Sequence, residues 1–330
     1  MSTSCRGGGS CTRARRTRSG GTRRSSRDIS DCEDQAMKRI AVVGVGLLGS
    51  AVASRLLEGG FAVVGYDSRP DQLTRLAARG LLAAASAKDA AAGADAIFTI
   101  LPTPDSVEAA VLSPGGLLEV MPRSATLLQM STISPTLTRR LADAAAAAGR
   151  GFLDAPMSGT SAMVERGDCT IFVGGDVARL EACRPVLAAI GRRAVHIGPA
   201  GSASLAKLAT NLLVALNTAA LAEALVLGEK GGLAPGALLD LLKDSAAASK
   251  MVDVRGPLMV ERRFEPQMKL ELFLKDLRLM LEEGQRLGVA LPLTSLTQQL
   301  CTATVAGGRG GEDLAALITT LQRMAGLSPD

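Results

Sequence analysis

The stretch Ile40-Ala41-Val42-Val43-Gly44-Val45-Gly46-Leu47-Leu48-Gly49 decides how the rest of this chain is read. Its first four residues are apolar without alternation, the pattern of a strand buried on both faces of a sheet. Three glycines follow in the spacing GxGxxG, and residues 50–57 have the composition of a helix. A second strand is expected over 61–66, ending in Asp67, 18 residues after Gly49. GxGxxG alone is a weak signal. Set between a strand and a helix, with an acid closing the next strand, it predicts a βαβ unit that binds a dinucleotide.

Each residue of the loop has a distinct task in that reading. Gly44 permits the tight turn, Gly46 lets a pyrophosphate approach the backbone, and Gly49 lets helix and strand pack closely. Val45, Leu47 and Leu48 lie in the same loop, and the helix that begins there offers free N–H groups and a positive dipole end to phosphates. Asp67 would accept hydrogen bonds from a ribose 2′-OH and repel a 2′-phosphate, which favours NAD. Arg69 stands two residues on, where an arginine can pair with that phosphate, so NADP is not excluded.

The chain has 330 residues, 47% hydrophobic and 21% charged, enough for two cores. Aromatics are 2%, with no Trp and one Tyr, which leaves little surface on which bases could stack. The formal charge of +5 is concentrated at the start. Eight Arg and four acids fall within residues 1–36, leaving 29 basic and 28 acidic residues for the remainder. The body is nearly neutral, which argues against a nucleic-acid partner. No uncharged apolar run reaches the roughly 18–20 residues of a membrane span. The six cysteines form no CxxC pair and are expected as reduced thiols in a cytoplasmic protein. His196 is the single histidine, which excludes a two-histidine metal site, and no metal is expected.

Residues 1–36 are rich in Arg, Ser and Gly with almost nothing apolar, so they are expected as a disordered tail. Beyond them, helices are expected near 71–79 and 86–92, and strands over 96–101, 125–130, 150–154, 169–173 and 194–197. Three of these strands run into polar loops: Pro102-Thr103-Pro104, Ser131-Thr132-Ile133-Ser134-Pro135, and Pro156-Met157-Ser158-Gly159-Thr160. In an open parallel sheet ligands bind beyond the carboxyl ends of strands, where these loops would gather. After Gly198 the strand signal stops. Helices are expected over 202–228, 235–248, around 251–260, and over 270–287, 292–306 and 313–324. The fold expected is therefore α/β: a doubly wound Rossmann-type parallel sheet over 37–199, joined by a long helix to an all-helical domain over 200–330.

That joining helix carries Lys207 and Asn211, four residues apart and so on one face near its start. The helix dipole there disfavours a positive charge, and burial would lower the lysine pKa further. Both effects suit Lys207 to passing a proton to or from a carbonyl or hydroxyl, with Asn211 orienting it or the substrate. Lys275, in Phe273-Leu274-Lys275-Asp276-Leu277, is read equally well as half of an intrahelical pair with Glu271 or as a site residue.

Together these residues resemble the β-hydroxyacid dehydrogenases, the family of 3-hydroxyisobutyrate dehydrogenase and tartronate semialdehyde reductase, over about residues 38–325. Leu101-Pro102-Thr103-Pro104 is similar to the loop beside the nicotinamide ribose, and Thr132 stands where the next loop meets the cofactor. Asp154-Ala155-Pro156-Met157-Ser158-Gly159-Thr160 is similar to the substrate motif DAPVSGG, with Thr160 in place of its second glycine. Gly201 through Lys207 to Asn211 matches the catalytic helix, and Lys275-Asp276-Leu277 the KDL element whose lysine reaches the cofactor. The resemblance implies hydride transfer between NAD and a small carboxylate-bearing 3-hydroxy acid or semialdehyde. Lys207 would be the acid/base, and Ser131, Ser158, Gly159 and Thr160 would hold the carboxylate. A homodimer or homotetramer is implied as well. The alternatives are an NADPH-dependent reductase of glyoxylate or succinic semialdehyde, and a non-catalytic dinucleotide-binding module of the same fold.

Overall fold

A computed structural model describes residues 37–328; the disordered tail expected over 1–36 lies outside them. The strands are β1 (Arg39–Val43), β2 (Ala62–Tyr66), β3 (Leu82–Ala83), β4 (Ala96–Thr99), β5 (Thr126–Gln129), β6 (Gly151–Asp154), β7 (Met157–Ser158), β8 (Thr170–Gly175) and β9 (Arg193–Gly198). Between them run α1 (Leu47–Glu58), α2 (Pro70–Ala77), α3 (Ala87–Ala91), α4 (Pro104–Leu112), α5 (Leu117–Val120), α6 (Pro135–Ala147), α7 (Ser161–Glu165) and α8 (Val177–Ile190). After β9 the chain is helical: α9 (Ser202–Lys230), α10 (Pro235–Lys243), α11 (Lys250–Val260), α12 (Leu270–Leu287), α13 (Pro292–Thr304) and α14 (Ile318–Met324). A π-type turn, Val305–Arg309, and a 3-10 turn, Leu314–Leu317, lie between the last two.

The sheet runs β3-β2-β1-β4-β5-β6-β8-β7, with β9 paired to β8. It is parallel from β3 through β6, and β1 sits between β2 and β4, pairing Ile40 with Val63 and with Ala96. The order therefore reverses at β1/β4, the crevice where an open α/β sheet takes its ligand. Beyond β6 the sheet turns mixed. β8 runs antiparallel to β6 and β7, and β9 is parallel to β8.

Alternate residues of the central strands feed two cores. Ile40, Val42, Phe98 and Leu128 pack with Val52 and Leu56 of α1 and Leu180, Val186 and Leu187 of α8. Ala41, Val43, Ile97 and Leu127 pack on the other face with Val107 and Val111 of α4 and Leu141 of α6. Both faces being covered explains why β1 reads as an unbroken apolar run.

A third core belongs to the helices and gathers Leu208, Ala215, Ala222 and Leu225 of α9, Phe273, Leu277 and Met280 of α12, and Leu317 and Ile318. By length and composition α9 is apolar enough to cross a membrane, with a mean hydropathy of 1.6 over its best window. Here its inner face is spent on this core.

Candidate active site

The loop after β1 is shaped by its glycines. Gly44 has φ +96°, and a Cβ there would stand 2.2 Å from the Ile100 carbonyl oxygen. A Cβ on Gly49 would stand 1.9 Å from the Gly44 oxygen, so the first turn of α1 packs directly on the loop. Gly46 differs: the nearest atom to its missing Cβ is Arg69 Nη2 at 3.6 Å. The helix opens at Leu47, three residues earlier than its composition indicated, with no side chain capping its N–H groups. An uncapped helix start beside a residue without a side chain fits a pyrophosphate.

Asp67, at the end of β2, binds the loop itself. Its Oδ2 accepts from Val45 N at 2.8 Å and its Oδ1 from Arg69 N at 2.9 Å. The Arg69 guanidinium is 3.7 Å from Oδ1 and largely exposed. Arg79 is held by the Ser54 hydroxyl at 2.8 Å and by Glu58 at 2.6 Å.

From this end a cleft of ≈ 1150 Å³ runs along the carboxyl ends of the strands. Gly44, Gly46, Leu47, Leu48, Gly49, Asp67, Leu101, Pro102, Ser131, Thr132, Gly159, Thr160 and Lys275 all line it. Val45, Ser158, Lys207 and Asn211 do not. Arg75, Arg79, Glu165 and residues 266–269 also line it without a role expected from the sequence, and Asp276, quoted there only as the middle of the KDL element, lines it as well.

The middle of the cleft is tied together by Ser131. Its hydroxyl accepts from Leu101 N at 2.8 Å and donates to Thr99 O at 3.3 Å, while the Gln129 amide grips both its N–H and its carbonyl. Ser131 therefore holds the two loops in register, and its hydroxyl has one acceptor direction left. The next loop needs Gly159, where a Cβ would meet Cys169 Cβ at 2.9 Å. Thr160 caps α7 through a hydrogen bond from Met163 N at 3.3 Å. Asp154, which opens that motif, points away from the cleft. Its carboxylate accepts from Gly201 N (3.0 Å), Ser204 N (2.9 Å) and Ser204 Oγ (2.7 Å), anchoring the start of α9. Burial raises its pKa, and those three donors oppose the shift.

At the wall of the cleft α9 and α12 bring four polar side chains together, of which Lys275 and Asp276 line it. Lys207 and Asn211 are buried on α9, and Asp276 is buried on α12. The Asn211 amide donates to Asp276 Oδ2 at 2.7 Å, so it orients the carboxylate rather than Lys207. Lys275 donates to the Thr132 carbonyl at 2.6 Å and lies 3.0 Å from Asp276 Oδ1. That contact is in ion-pair range without hydrogen-bond alignment, and Asp276 Oδ1 has no aligned donor. Of the two readings of Lys275, the intrahelical pair with Glu271 does not form; Glu271 lies 3.7 Å from Lys269 instead. Burial pushes the Lys207 pKa down to about 8, with Asp276 opposing the shift and Lys275 adding to it. A signal for Asp276 was present in the sequence. It is three residues from Phe273 and four from Met280, on the stripe that α12 buries, where a lone acid needs partners.

His196 lies away from this cluster, on β9, with Nε2 2.9 Å from the Gly175 carbonyl.

A glycine loop at the switch point of a parallel sheet, facing a helical wall that brings a buried lysine, defines a dinucleotide-dependent oxidoreductase. The sequence profile for the NAD binding domain of 6-phosphogluconate dehydrogenase matches residues 39–198. The profile for the NAD-binding region of NADP-dependent 3-hydroxyisobutyrate dehydrogenase matches 201–321. The 2-(hydroxymethyl)glutarate dehydrogenase of Eubacterium barkeri is 35% identical over 88% of this chain and 97% of its own. The NAD-dependent L-serine dehydrogenase of Pseudomonas aeruginosa is 33% identical over 85% and 97%. A solved 3-hydroxyisobutyrate dehydrogenase from Mycobacterium tuberculosis, with L-serine, superposes with a TM-score of 0.78 at 31% identity, covering 87% of this chain and 99% of that one. The chain belongs to the β-hydroxyacid dehydrogenase family, NAD(P)-dependent oxidoreductases of the CH–OH group of hydroxy acids.

Proposed function

We propose that this protein interconverts a short 3-hydroxy acid, of the 3-hydroxyisobutyrate type, and its semialdehyde, with Lys207 as the proton-transfer group. The observation that carries the reading is the cluster in which Lys275 and Asp276, which line the cleft, meet the buried Lys207 and Asn211 of α9. The substrates named for three of the relatives, 2-(hydroxymethyl)glutarate, L-serine and 3-hydroxyisobutyrate, share one unit, a primary alcohol on the carbon next to the one bearing a carboxylate. The nicotinamide, when bound, accepts or supplies the hydride.

The chain's own residues would do the rest. The α1 N-terminus with Gly44, Val45, Gly46, Leu47, Leu48 and Gly49 would hold the pyrophosphate, and Asp67 the adenosine ribose. Leu101, Pro102, Thr132 and Lys275 would border the nicotinamide half. Ser158, Gly159 and Thr160, with Ser131, would receive the substrate carboxylate. Lys207, with a pKa near the working pH, would take the hydroxyl proton in oxidation and return it in reduction. Asn211 holds Asp276 in place, and Asp276 steadies the charge on the lysine.

The exposed guanidinium of Arg69, beside Gly46 and Asp67, favours a second reading in which NADPH is used for semialdehyde reduction. A screen of 3-hydroxyisobutyrate, L-serine, 2-(hydroxymethyl)glutarate and succinic semialdehyde with both cofactors separates the two. Turnover of none of them, or near-normal turnover by Lys207→Ala with NADH binding intact, overturns the proposal. The apolar exposure of Leu213 and Leu227 on α9 and of Leu293 and Leu296 on α13 supports a homo-oligomer, which sedimentation would test.

A further inference from the structure

The wall of the cleft opposite in sequence to the glycine loop, residues 266–276, is held from behind by a single buried carboxylate. Asp313 is fully buried, and its Oδ2 accepts from both Gln267 N and Met268 N at 3.0 Å. Its Oδ1 accepts from Ala315 N at 3.0 Å and lies 3.2 Å from Arg255 Nε of α11, which is itself 3% exposed. Gln267, Met268 and Lys269 line the cleft, and Lys269 also forms an isolated β-bridge with Asp313. The same stretch completes the start of α12. No side chain caps that helix; Leu270 N donates to the Glu312 carbonyl at 2.8 Å and Glu271 N to the Gly310 carbonyl at 3.0 Å.

Three backbone N–H groups converge on one carboxylate, and those of Leu270 and Glu271 are taken by carbonyls within three residues of it. A buried charge is costly to keep, and replacing such a pair by apolar groups is often neutral or stabilising. Its retention here is accounted for by what it fixes. Residues 266–269 have no regular structure, so their path along the cleft depends on side-chain anchoring. From that anchored point α12 runs one and a half turns to Lys275 and Asp276.

We infer that Arg255 and Asp313 are positioning residues for the reaction: they set residues 266–269 against the cofactor cleft and fix the start of the helix that delivers Lys275 and Asp276. The inference rests on the reading of Lys275 and Asp276 given above, and its test is independent of turnover. Hydrogen–deuterium exchange of the full chain, wild type and Asp313→Asn, is compared over residues 264–276 and over α9. NADH and ADP-ribose are titrated against both proteins well below their melting temperatures. The expected result is at least tenfold faster exchange at residues 267–271 with α9 unchanged, and at least tenfold weaker NADH binding with ADP-ribose binding unchanged. Should Asp313→Asn fail to fold, the double variant Arg255→Met/Asp313→Asn leaves no unpaired buried charge and is held to the same criteria. A lower melting temperature with unaltered exchange at 267–271, or with unaltered NADH affinity in the folded variant, means the pair is only structural and overturns the inference. Loss of turnover on substituting Asp313 with both readouts unchanged overturns it equally.

Discussion

Asp154 and Ser204 join the end of β6 to the first turn of α9 through two hydrogen bonds to the same carboxylate, one from the serine N–H and one from its hydroxyl. The strand that leads into the loop of residues 155–160 and the helix that carries Lys207 are thereby tied together. The Ser204 hydroxyl also lies 2.8 Å from Thr138 Oγ1 on α6, so three elements meet at this point. Ser204→Ala removes a hydrogen bond to a buried carboxylate, which is worth about 1.5–3 kcal/mol. Urea unfolding is expected to show a loss of that size. Because Lys207 is three residues along the same helix, kcat should fall with KM for cofactor unchanged.

The glycines separate structure from ligand binding. Gly44→Ala and Gly49→Ala each drive a Cβ into backbone oxygen, at 2.2 and 1.9 Å, and Gly44 also requires a positive φ. Both are expected to lose more than about 2 kcal/mol of stability or to remain unfolded. Gly46→Ala has room for its methyl group on the protein side. It should melt within a few degrees of the wild type while binding NADH at least about tenfold more weakly, a difference of about 1.4 kcal/mol. Differential scanning fluorimetry with and without NADH distinguishes the two classes.

How far the sequence reaches is visible at particular residues. The glycine loop was legible because its geometry is local: a positive φ, two close approaches and a helix start all fall within ten residues. The helix starts at Thr103-Pro104 and Ser134-Pro135 read in the sequence only as polar loops. Each is a hydroxyl N-cap followed by proline at the first helical position, a start signal masked by its turn-like composition. Strand β3 is two exposed residues, too short for any pattern. The antiparallel direction of β8 depends on where the chain returns from α7, which no local pattern encodes. Lys207 and Asn211 were legible as a pair on one helical face. Their partner Asp276 is 65 residues beyond Asn211, and only the packing of α9 on α12 brings it there.

The depressed pKa of Lys207 fixes the direction of the pH dependence. In the proposed role the lysine is neutral in oxidation, to accept the hydroxyl proton, so kcat/KM is expected to rise about tenfold per pH unit and level off above about pH 8. In reduction the same role takes it protonated, so the rate should hold below pH 8 and fall above it. Asp276 and Lys275 face the same ammonium, and Asp276→Asn removes the charge that favours its protonated form. That variant should move both limbs to lower pH. Initial rates in the two directions across pH 6–10 measure this, and a shift to higher pH would contradict the assigned role of Asp276.

The same burial has a stability consequence with a definite sign. Lys207 binds its proton more weakly in the folded chain, at about pH 8, than at its ordinary value of 10.5. Below pH 8 both states are protonated and the fold bears the full cost of the buried ammonium, about 3 kcal/mol at about 1.4 kcal/mol per pKa unit. Between pH 8 and 10.5 the unfolded chain holds the proton that the folded one has lost, so stability rises with pH, and above 10.5 the cost is gone. Lys207→Met keeps a similar stem and removes the titration. It should be more stable than the wild type by up to about 3 kcal/mol at pH 7, with the gain shrinking through pH 8–10. Turnover should fall by about 10²–10⁴-fold, the usual contribution of a positioned acid/base, while NADH binding is retained. Urea midpoints for both proteins at pH 7 and pH 10 test the first expectation and stopped-flow turnover the second. A variant less stable than the wild type at pH 7, with full NADH affinity, would mean that Lys207 is a structural cation held by Asp276.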